Sequence, residues 1–456
     1  MYFPVLFLPV DVYMTSSLKH ADGTFKPWAE TEEERMFYLN PITDGYYGLF
    51  AGVMLSLFFF IPFGFFFKPS GSLFSNSSYD AILKACKFVF FTGILCIILF
   101  IVGLFLPLNE ASTGSIAERC RSSVFFIVNV LCIIGFSLIT TYLSYGTVSW
   151  PLGWIFGKYA TENSLKTIAE KKDFLEKEIQ SMESASEASS IAQSQLQEMK
   201  KEIQILNLQI EATQSSGGII HHALVKLRPL QVLYGTVIAI VGFMIFLSIL
   251  LNNVDRAINS MGFKTGYYLT THSLPNPLDF LLTHCHFLYP MDLIVLVCIL
   301  HFFIFSTIEG LKAIGSRCLW VELFQLKPKK TPSSSLTFLC GLLTLIVLAL
   351  LPFIFQIAPQ YCSFGPQVYQ LPNQTGTLVC NNDAPEDLCV KTRFSILTAD
   401  FYKDGWIFGG IYYWLSWFYI IVTVLSPMVV LAKMKYSSTA DPLEGSSDDD
   451  EPMIQA

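Results

Sequence analysis

Acidic side chains inside or beside apolar stretches are the residues of this chain that could do chemistry. Asp11 lies within an N-terminal apolar stretch, and Asp279 and Asp292 lie on either side of Pro290. Burying a charge in lipid is costly, so such residues usually face a cavity. Broken helices at membrane depth often line transport sites. The sequence therefore predicts a substrate pathway that includes these four residues, although Asp279 and Asp292 could equally reach the water interface from helix ends.

Catalytic and metal-binding motifs do not occur in the sequence. It contains neither a Walker-type nucleotide loop nor a His-Glu-x-x-His zinc motif. The densest cluster of metal-ligating side chain types is His284, Cys285 and His286, but alternate residues share a face only in a strand, and this stretch has a helical pattern. We interpret these residues as polar groups at a membrane rim. We expect no enzymatic activity, no metal site and no covalent cofactor.

The composition indicates a membrane protein. Of 456 residues, 52% are hydrophobic, 15% are aromatic and 14% are charged, whereas a typical soluble domain has about 25% charged residues. The net charge is −7, and most of it comes from an acidic C-terminal tail. This composition excludes a single soluble core and a basic nucleic-acid-binding protein. The expected surroundings of the chain are membrane lipids.

Long apolar stretches predict an all-α polytopic transmembrane helical bundle. A spanning helix needs about 20 mostly apolar residues. Seven stretches qualify: 45–67, 87–108, 123–149, 229–251, 290–308, 336–358 and 405–432. The stretch from Met1 to Ser16 is a shorter eighth candidate, and we expect it to be the remainder of a longer N-terminal region. The predicted domains are N-terminal membrane helices (1–149), a cytosolic segment (150–228), C-terminal membrane helices (229–432) and a disordered acidic cytosolic tail (433–456).

The segment 150–228 has the pattern of a coiled coil. Leu175 and Ile179 belong to one series of apolar residues spaced by three and four, and Ile203 and Leu206 belong to a second series in another register. A Ser- and Ala-rich link at 184–190 separates them. We expect an antiparallel helical hairpin in the cytosol, either as a docking element or as a packing element under the membrane domain.

Three features of the loop 359–404 indicate that it is lumenal. Lys and Arg are more frequent in the loops on the opposite side of the membrane, which agrees with the positive-inside rule. Cys380 and Cys389 lie in this loop, where a disulfide is expected, with Cys362 left over. Asn373 begins an Asn-Gln-Thr glycosylation motif in the same loop. A second such motif, at Asn76, falls on the cytosolic side and is expected to be unused.

The acidic tail contains a candidate sorting signal. Asp449, Met453 and Ile454 lie in a sequence similar to an acidic dileucine motif with Met in the first Leu position. Such a motif would be read by a clathrin adaptor complex. A tail that serves only as a solvated extension is the alternative.

Short motifs throughout the chain resemble the LIMR family of lipocalin-receptor-like membrane proteins. They include Leu8-Pro9-Val10-Asp11-Val12, Gly23-Thr24-Phe25-Lys26-Pro27-Trp28-Ala29, Pro290-Met291-Asp292, Ala358-Pro359-Gln360-Tyr361 and Asp383-Ala384-Pro385-Glu386-Asp387-Leu388-Cys389. The resemblance implies a nine-span lysosomal membrane protein that helps cobalamin reach the cytosol together with an ATP-binding-cassette half-transporter of subfamily D. It also implies a role as a clathrin-adaptor partner in insulin-receptor endocytosis at the plasma membrane. Longer members have another full span before the position of Asp11.

Two functional hypotheses follow. The first is cobalamin export from the lysosome, with the chain as transporter or transporter subunit and cobalamin, with its cobalt, as the transported ligand. The second is a membrane receptor or clathrin-adaptor partner without transport activity. No cobalamin-binding residues can be transferred from the resemblance.

Overall fold

The structure is a computed structural model. It describes residues 3–67, 76–105, 116–156, 172–179, 228–269, 273–286, 290–314, 316–318, 321–324, 333–370, 376–385, 387–402 and 406–439, together with a few positions between 199 and 207 and residue 288.

The N-terminal half consists mainly of long helices, two of which continue through a π-helical turn into a shorter helix. Helix α1 (Phe3–Ser16) comes first. Helix α2 (Glu32–Leu55) continues through a π turn at Ser56–Phe60 into α3 (Ile61–Phe66). After α4 (Asn76–Phe105), helix α5 (Ile116–Leu138) runs through a second π turn, Ile139–Leu143, into α6 (Ser144–Ile155).

The C-terminal half adds longer spans, short helices and two small hairpins. Its helices are α7 (Arg228–Asn259), α8 (Pro277–His286), α9 (Met291–Ile314), α10 (Ser333–Ile357), α11 (Pro359–Ser363), α12 (Arg393–Tyr402) and α13 (Trp406–Thr439). Strands β1 (Ser316–Cys318) and β2 (Val321–Phe324) pair antiparallel, as do β3 (Val368–Gln370) and β4 (Thr377–Val379). In the second hairpin Val368 lies opposite Val379. The predicted all-α class is confirmed, with these short hairpins as minor additions.

Seven helices in the described part of the chain are long and apolar enough to cross a membrane. They coincide with the seven predicted spans, although the first begins earlier, at Glu32, than the apolar stretch that starts at 45. A capping box explains the early start: the Thr31 hydroxyl accepts the Glu34 N–H at 3.3 Å, and the Glu34 carboxylate accepts the Thr31 N–H at 3.0 Å. Helix α1, with 14 residues, is not among the seven.

Aromatic rings form the centre of the bundle. Phe353 of α10 is fully buried, and its ring lies 5.5 Å from those of Phe136 and Phe303 and 5.6 Å from that of Tyr419. Tyr412 extends the cluster from Phe136, with a ring distance of 5.5 Å. These rings join α5, α9, α10 and α13, so the middle of the bundle is packed with side chains.

Three glycines allow pairs of helices to approach closely. A Cβ atom on Gly146 of α6 would lie 1.7 Å from the carbonyl oxygen of Ser306 in α9. One on Gly310 of α9 would lie 2.0 Å from that of Tyr142, and one on Gly135 of α5 would lie 2.1 Å from that of Leu345 in α10. Small residues at such positions are the usual means of helix association in membranes.

A compact layer, which we call the loop cap, covers one end of the bundle. It comprises residues 17–30, α11, the β3–β4 hairpin and the described residues of 380–402. The Gln370 N–H donates to the Ala21 carbonyl at 2.7 Å, and Gly23, at φ +86°, lies directly against the Leu388 side chain. Cys380 and Cys389 form a disulfide within the cap.

The predicted cytosolic hairpin lies largely outside the described residues. Residues 172–179 are helical, and Leu175, Ile179 and Leu206, all expected core positions, are buried. The pairing of the two arms stays a prediction.

Candidate functional site

Asp11 joins the first helix to the start of α12. Its side chain is fully buried and accepts the backbone N–H groups of Arg393 at 3.1 Å and Phe394 at 2.7 Å. The hydroxyl of Thr15, one turn further along α1, donates to the same carboxylate at 3.2 Å. The N-terminus of a helix presents unpaired N–H groups and a positive dipole end, so a carboxylate there is strongly favoured. Asp11 therefore fixes α1 to a helix 382 residues away in sequence.

Asp279 binds the N-terminus of α11 in the same way. It lies in α8, which is not one of the candidate spans, and it accepts the N–H groups of Tyr361 at 2.9 Å and Gln360 at 3.3 Å. Burial raises the pKa of the Asp279 carboxyl to about 7, while the two backbone hydrogen bonds oppose the rise. Asp279 thus holds α11 in place, and its carboxyl titrates near neutral pH.

The Asp292 carboxylate, at the start of α9, accepts three hydrogen bonds. It accepts the Leu293 N–H at 2.8 Å, the Tyr361 hydroxyl at 2.9 Å and the His286 Nδ1–H at 2.8 Å. Because an ionised carboxylate can only accept, Nδ1 of His286 carries the hydrogen in this arrangement. The other ring nitrogen, Nε2, lies 3.3 Å from the Ser16 hydroxyl at the end of α1.

Tyr361 connects the carboxylates of Asp279 and Asp292. Its backbone N–H binds Asp279 and its hydroxyl binds Asp292, and the residue is fully buried. We call the series Ser16, His286, Asp292, Tyr361 and Asp279 the Tyr361 network. It ties α1, α8 and α9 to α11 of the loop cap.

The helix break around Pro290 makes this network possible. Helix α8 ends at His286 and α9 begins at Met291, whose N–H donates to the Leu288 carbonyl at 2.9 Å. The change of direction brings His286 and Asp292, six residues apart, into direct contact. In the described structure His286 is thus hydrogen-bonded to the Asp292 carboxylate.

Only some of the site residues predicted from the sequence lie within the described structure. Asp11, Asp279, Pro290 and Asp292 lie beneath the loop cap, and their place on a substrate pathway stays a prediction. Asn373 lies outside the described residues, as do Asp449, Met453 and Ile454 of the tail. Cys362, the cysteine left over, is buried and free.

Tyr361 is the main residue of the network that reasoning from residue type missed. A tyrosine in an apolar chain carries no signal of its own, because 20 tyrosines occur in this sequence. Its position directly after Ala358-Pro359-Gln360, within a motif shared with a family, is the signal that could have identified it.

An apolar cavity of about 320 Å³ lies between α6, α7 and α13. Its wall includes Pro151, Gly242, Phe246 and Pro427, and none of the three carboxylates lines it. The proline in each of two spans removes a helical hydrogen bond and makes room between the helices. The cavity is chemically suited to a hydrocarbon group.

Comparisons with known proteins place the chain in a family. The model of LMBR1-like membrane proteins matches residues 2–265. The chain is 26% identical to the "Probable lysosomal cobalamin transporter" of Nematostella vectensis, over 98% of the chain and 89% of that protein. It is 29% identical to the "Lysosomal cobalamin transport escort protein LMBD1" of Danio rerio (97% and 86% coverage) and of Homo sapiens (98% and 88%). No solved structure matches the chain. With more than half of its length matched by the family model, and with its motifs and seven spans in agreement, the chain belongs to the LMBR1-like membrane protein family.

Proposed function

We propose that this protein acts in the export of cobalamin from the lysosome to the cytosol, as a transporter or as a transporter subunit. The observation that carries the proposal is similarity over 97–98% of the chain to proteins named for lysosomal cobalamin transport. A multi-pass helical bundle suits that task, and no enzymatic step is needed. The cobalt atom travels as part of the cargo.

An ATP-binding-cassette half-transporter of subfamily D is the partner that we propose. This chain has no Walker-type nucleotide loop, so export driven by ATP would need another subunit to hydrolyse it. A partner of this kind would also be consistent with the word "escort" in the names of several relatives.

We place the pathway beside the break at Pro290. Asp11, Asp279 and Asp292 are bound by helix N-termini or by the Tyr361 network, so in this proposal they act as positioning residues that hold α1, α8 and α9 around the route. Cobalamin would pass next to them without displacing their hydrogen bonds.

Cells that lack the endogenous relative and express this chain test the proposal. We expect expression to lower free cobalamin in isolated lysosomes and to restore cytosolic methylcobalamin and mitochondrial adenosylcobalamin. A matched control is the Gly93→Ala variant, whose added methyl group meets nothing within 4 Å. Unchanged lysosomal cobalamin, with the protein present in the lysosomal membrane, would show that the proposal is wrong.

A further inference from the structure

A second cavity, of about 570 Å³, lies in the loop cap between the segment after α1 and the start of α12. Small-molecule sites have volumes of roughly 300–1,000 Å³. Its wall includes Lys19, Phe25, Asp387, Lys391, Arg393 and Ile396. The cavity is separate from the Tyr361 network, although Asp11 binds the backbone N–H of Arg393 behind it.

Positive charge dominates this wall. Lys19, Lys391 and Arg393 face one acidic residue of the lining, Asp387, and Lys19 donates to the Asp387 backbone carbonyl, which leaves that carboxylate uninvolved in the bond. Burial lowers the pKa of Lys19, and the neighbouring Arg35 lowers it further against the pull of Asp387. A negatively charged ligand would relieve the crowding of positive charges.

Arg393 has unused hydrogen-bonding capacity. One terminal nitrogen donates to the Met36 Sδ atom at 3.6 Å, and thioether sulfur is a weak acceptor. The Nε atom is buried and has no partner among the described residues. A guanidinium group offers a planar fork of donors that fits a multi-oxygen anion. An unpaired buried donor of this kind is costly unless something binds it.

The rest of the cavity wall could contact the organic part of an anionic ligand. Phe25, Leu39, Phe364 and Ile396 contribute apolar surface. Lys19 lies 4.7 Å from the centre of the Phe25 ring, and Arg35, which is outside the lining, lies 4.1 Å from it, so the ring attracts both cations. The Oδ1 atom of Asn381 is buried without a described partner and can accept a hydrogen bond from a ligand hydroxyl.

We propose that this cavity binds a phosphate ester, with the phosphate against Arg393, Lys391 and Lys19 and the organic part against Phe25 and its apolar neighbours. Three cationic groups around one cavity match a divalent phosphate better than a single carboxylate. The ester could be the headgroup of an anionic lipid from the adjoining bilayer or a soluble phosphate ester. The proposal is independent of cobalamin export.

Binding to the purified full-length chain in phosphatidylcholine nanodiscs tests the proposal. One arm titrates sn-glycerol 3-phosphate, with glycerol as the uncharged comparison. A second arm uses nanodiscs that contain phosphatidic acid and measures the lipid retained by native mass spectrometry. Saturable binding of glycerol 3-phosphate identifies a soluble ester as a ligand, whereas selective retention of phosphatidic acid, with competition against glycerol 3-phosphate, identifies the headgroup.

Two variants and one matched control locate the site. Arg393→Gln and Lys391→Gln each remove a charge-assisted hydrogen bond, so each is expected to weaken binding about tenfold or more. Lys391 is exposed, which keeps the test valid if Arg393→Gln does not fold. Lys264→Gln removes the same charge from an exposed loop between α7 and α8 and should leave binding unchanged. Absence of saturable binding in both arms, or equal binding by wild type, Arg393→Gln and Lys391→Gln, would overturn the proposal.

Discussion

Tyr361 joins three helices, α8, α9 and α11, through its hydrogen bonds to Asp279 and Asp292. Replacing it with Phe keeps the ring and the backbone N–H to Asp279 but removes the hydroxyl bound to Asp292. Because Asp292 is fully buried, the loss of one donor is expected to cost about 1–3 kcal/mol. The midpoint of thermal unfolding in detergent should fall, whereas Tyr47→Phe, at an exposed tyrosine of α2, should leave it unchanged. Equal midpoints for both variants would contradict the network.

Asp279 should make the stability of the protein depend on pH. Its pKa is about 7 in the folded protein against 3.8 for a free side chain, so the folded state holds the proton more tightly. Between about pH 4 and about pH 7 the unfolded chain is ionised while the folded carboxyl still carries a proton, and the unfolding free energy therefore falls as pH rises through this window.

The variant Asp279→Asn tests this dependence. The amide keeps an oxygen that can accept from Tyr361 and Gln360 but does not titrate, so the decline of the unfolding midpoint from about pH 4 to about pH 7 should become shallower. Glu33→Gln, at the exposed start of α2, should retain the wild-type slope. A slope in Asp279→Asn equal to that of wild type would contradict the assignment.

Residue type and spacing could identify the buried carboxylates but not what they bind. An aspartate in an apolar stretch is conspicuous, and Asp11, Asp279 and Asp292 are all found beneath the loop cap. The partners of Asp11 and Asp279 are mostly backbone N–H groups of α12 and α11, which are distant from them in sequence. Every residue except proline has such an N–H group, so no sequence pattern marks the ones that will be used.

The close contact between α9 and the π turn Ile139–Leu143 should be sensitive to a single methyl group. A Cβ at position 310 would lie 2.0 Å from the Tyr142 carbonyl oxygen, and backbone cannot move aside cheaply. Gly310→Ala should therefore destabilise the fold by about 1–3 kcal/mol, measured as a lower unfolding midpoint. Gly93→Ala in α4 adds the same methyl group to open space and should not destabilise it. If the two variants unfold alike, the helices do not approach as described.

Whole elements were easier to predict than their contacts. Hydropathy alone located all seven candidate spans, because crossing hydrocarbon requires a minimum length of apolar chain. Proline marked the break between α8 and α9 for the equally local reason that its ring cannot continue a helix. The pairing of Gly146 with Ser306 depends on how two helices rotate against each other, and a glycine in a span does not specify its neighbour.

At the scale of the whole molecule, the acidic tail is expected to determine the sorting of the protein between the cell surface and internal membranes. Asp449, Met453 and Ile454 form the candidate signal, and removal of residues 440–456 leaves α13 (Trp406–Thr439) intact. The shortened protein should accumulate at the cell surface and lose binding to a clathrin adaptor in pull-down. Met453→Ala with Ile454→Ala should have the same effect, and Gln455→Ala should have none. Unchanged distribution would leave the tail as a solvated extension.

Two glycosylation motifs, at Asn76 and Asn373, can report the orientation of the whole bundle. In sequence, Asn373 falls between strands β3 and β4, which belong to the loop cap. Helix α2 begins beside the cap, where Arg35 donates to the Ala29 carbonyl at 3.1 Å. Phe66 of α3 stacks on Phe88 of α4 at 3.7 Å, and the Thr92 hydroxyl donates to the Phe58 carbonyl at 2.8 Å, so α4 runs antiparallel to the α2–α3 span. Its first residue, Asn76, therefore lies at the end away from the cap.

A glycosidase assay can decide the orientation, since only one of these ends can be lumenal. The basic residues predict that the cap is the lumenal end, where the Cys380–Cys389 disulfide is also chemically permitted. Peptide-N-glycosidase F should increase the gel mobility of wild type and of Asn76→Gln but not of Asn373→Gln. If only Asn76→Gln lost the shift, the cap and its phosphate-ester cavity would face the cytosol, and the proposed direction of cobalamin movement would have to be reversed relative to the fold.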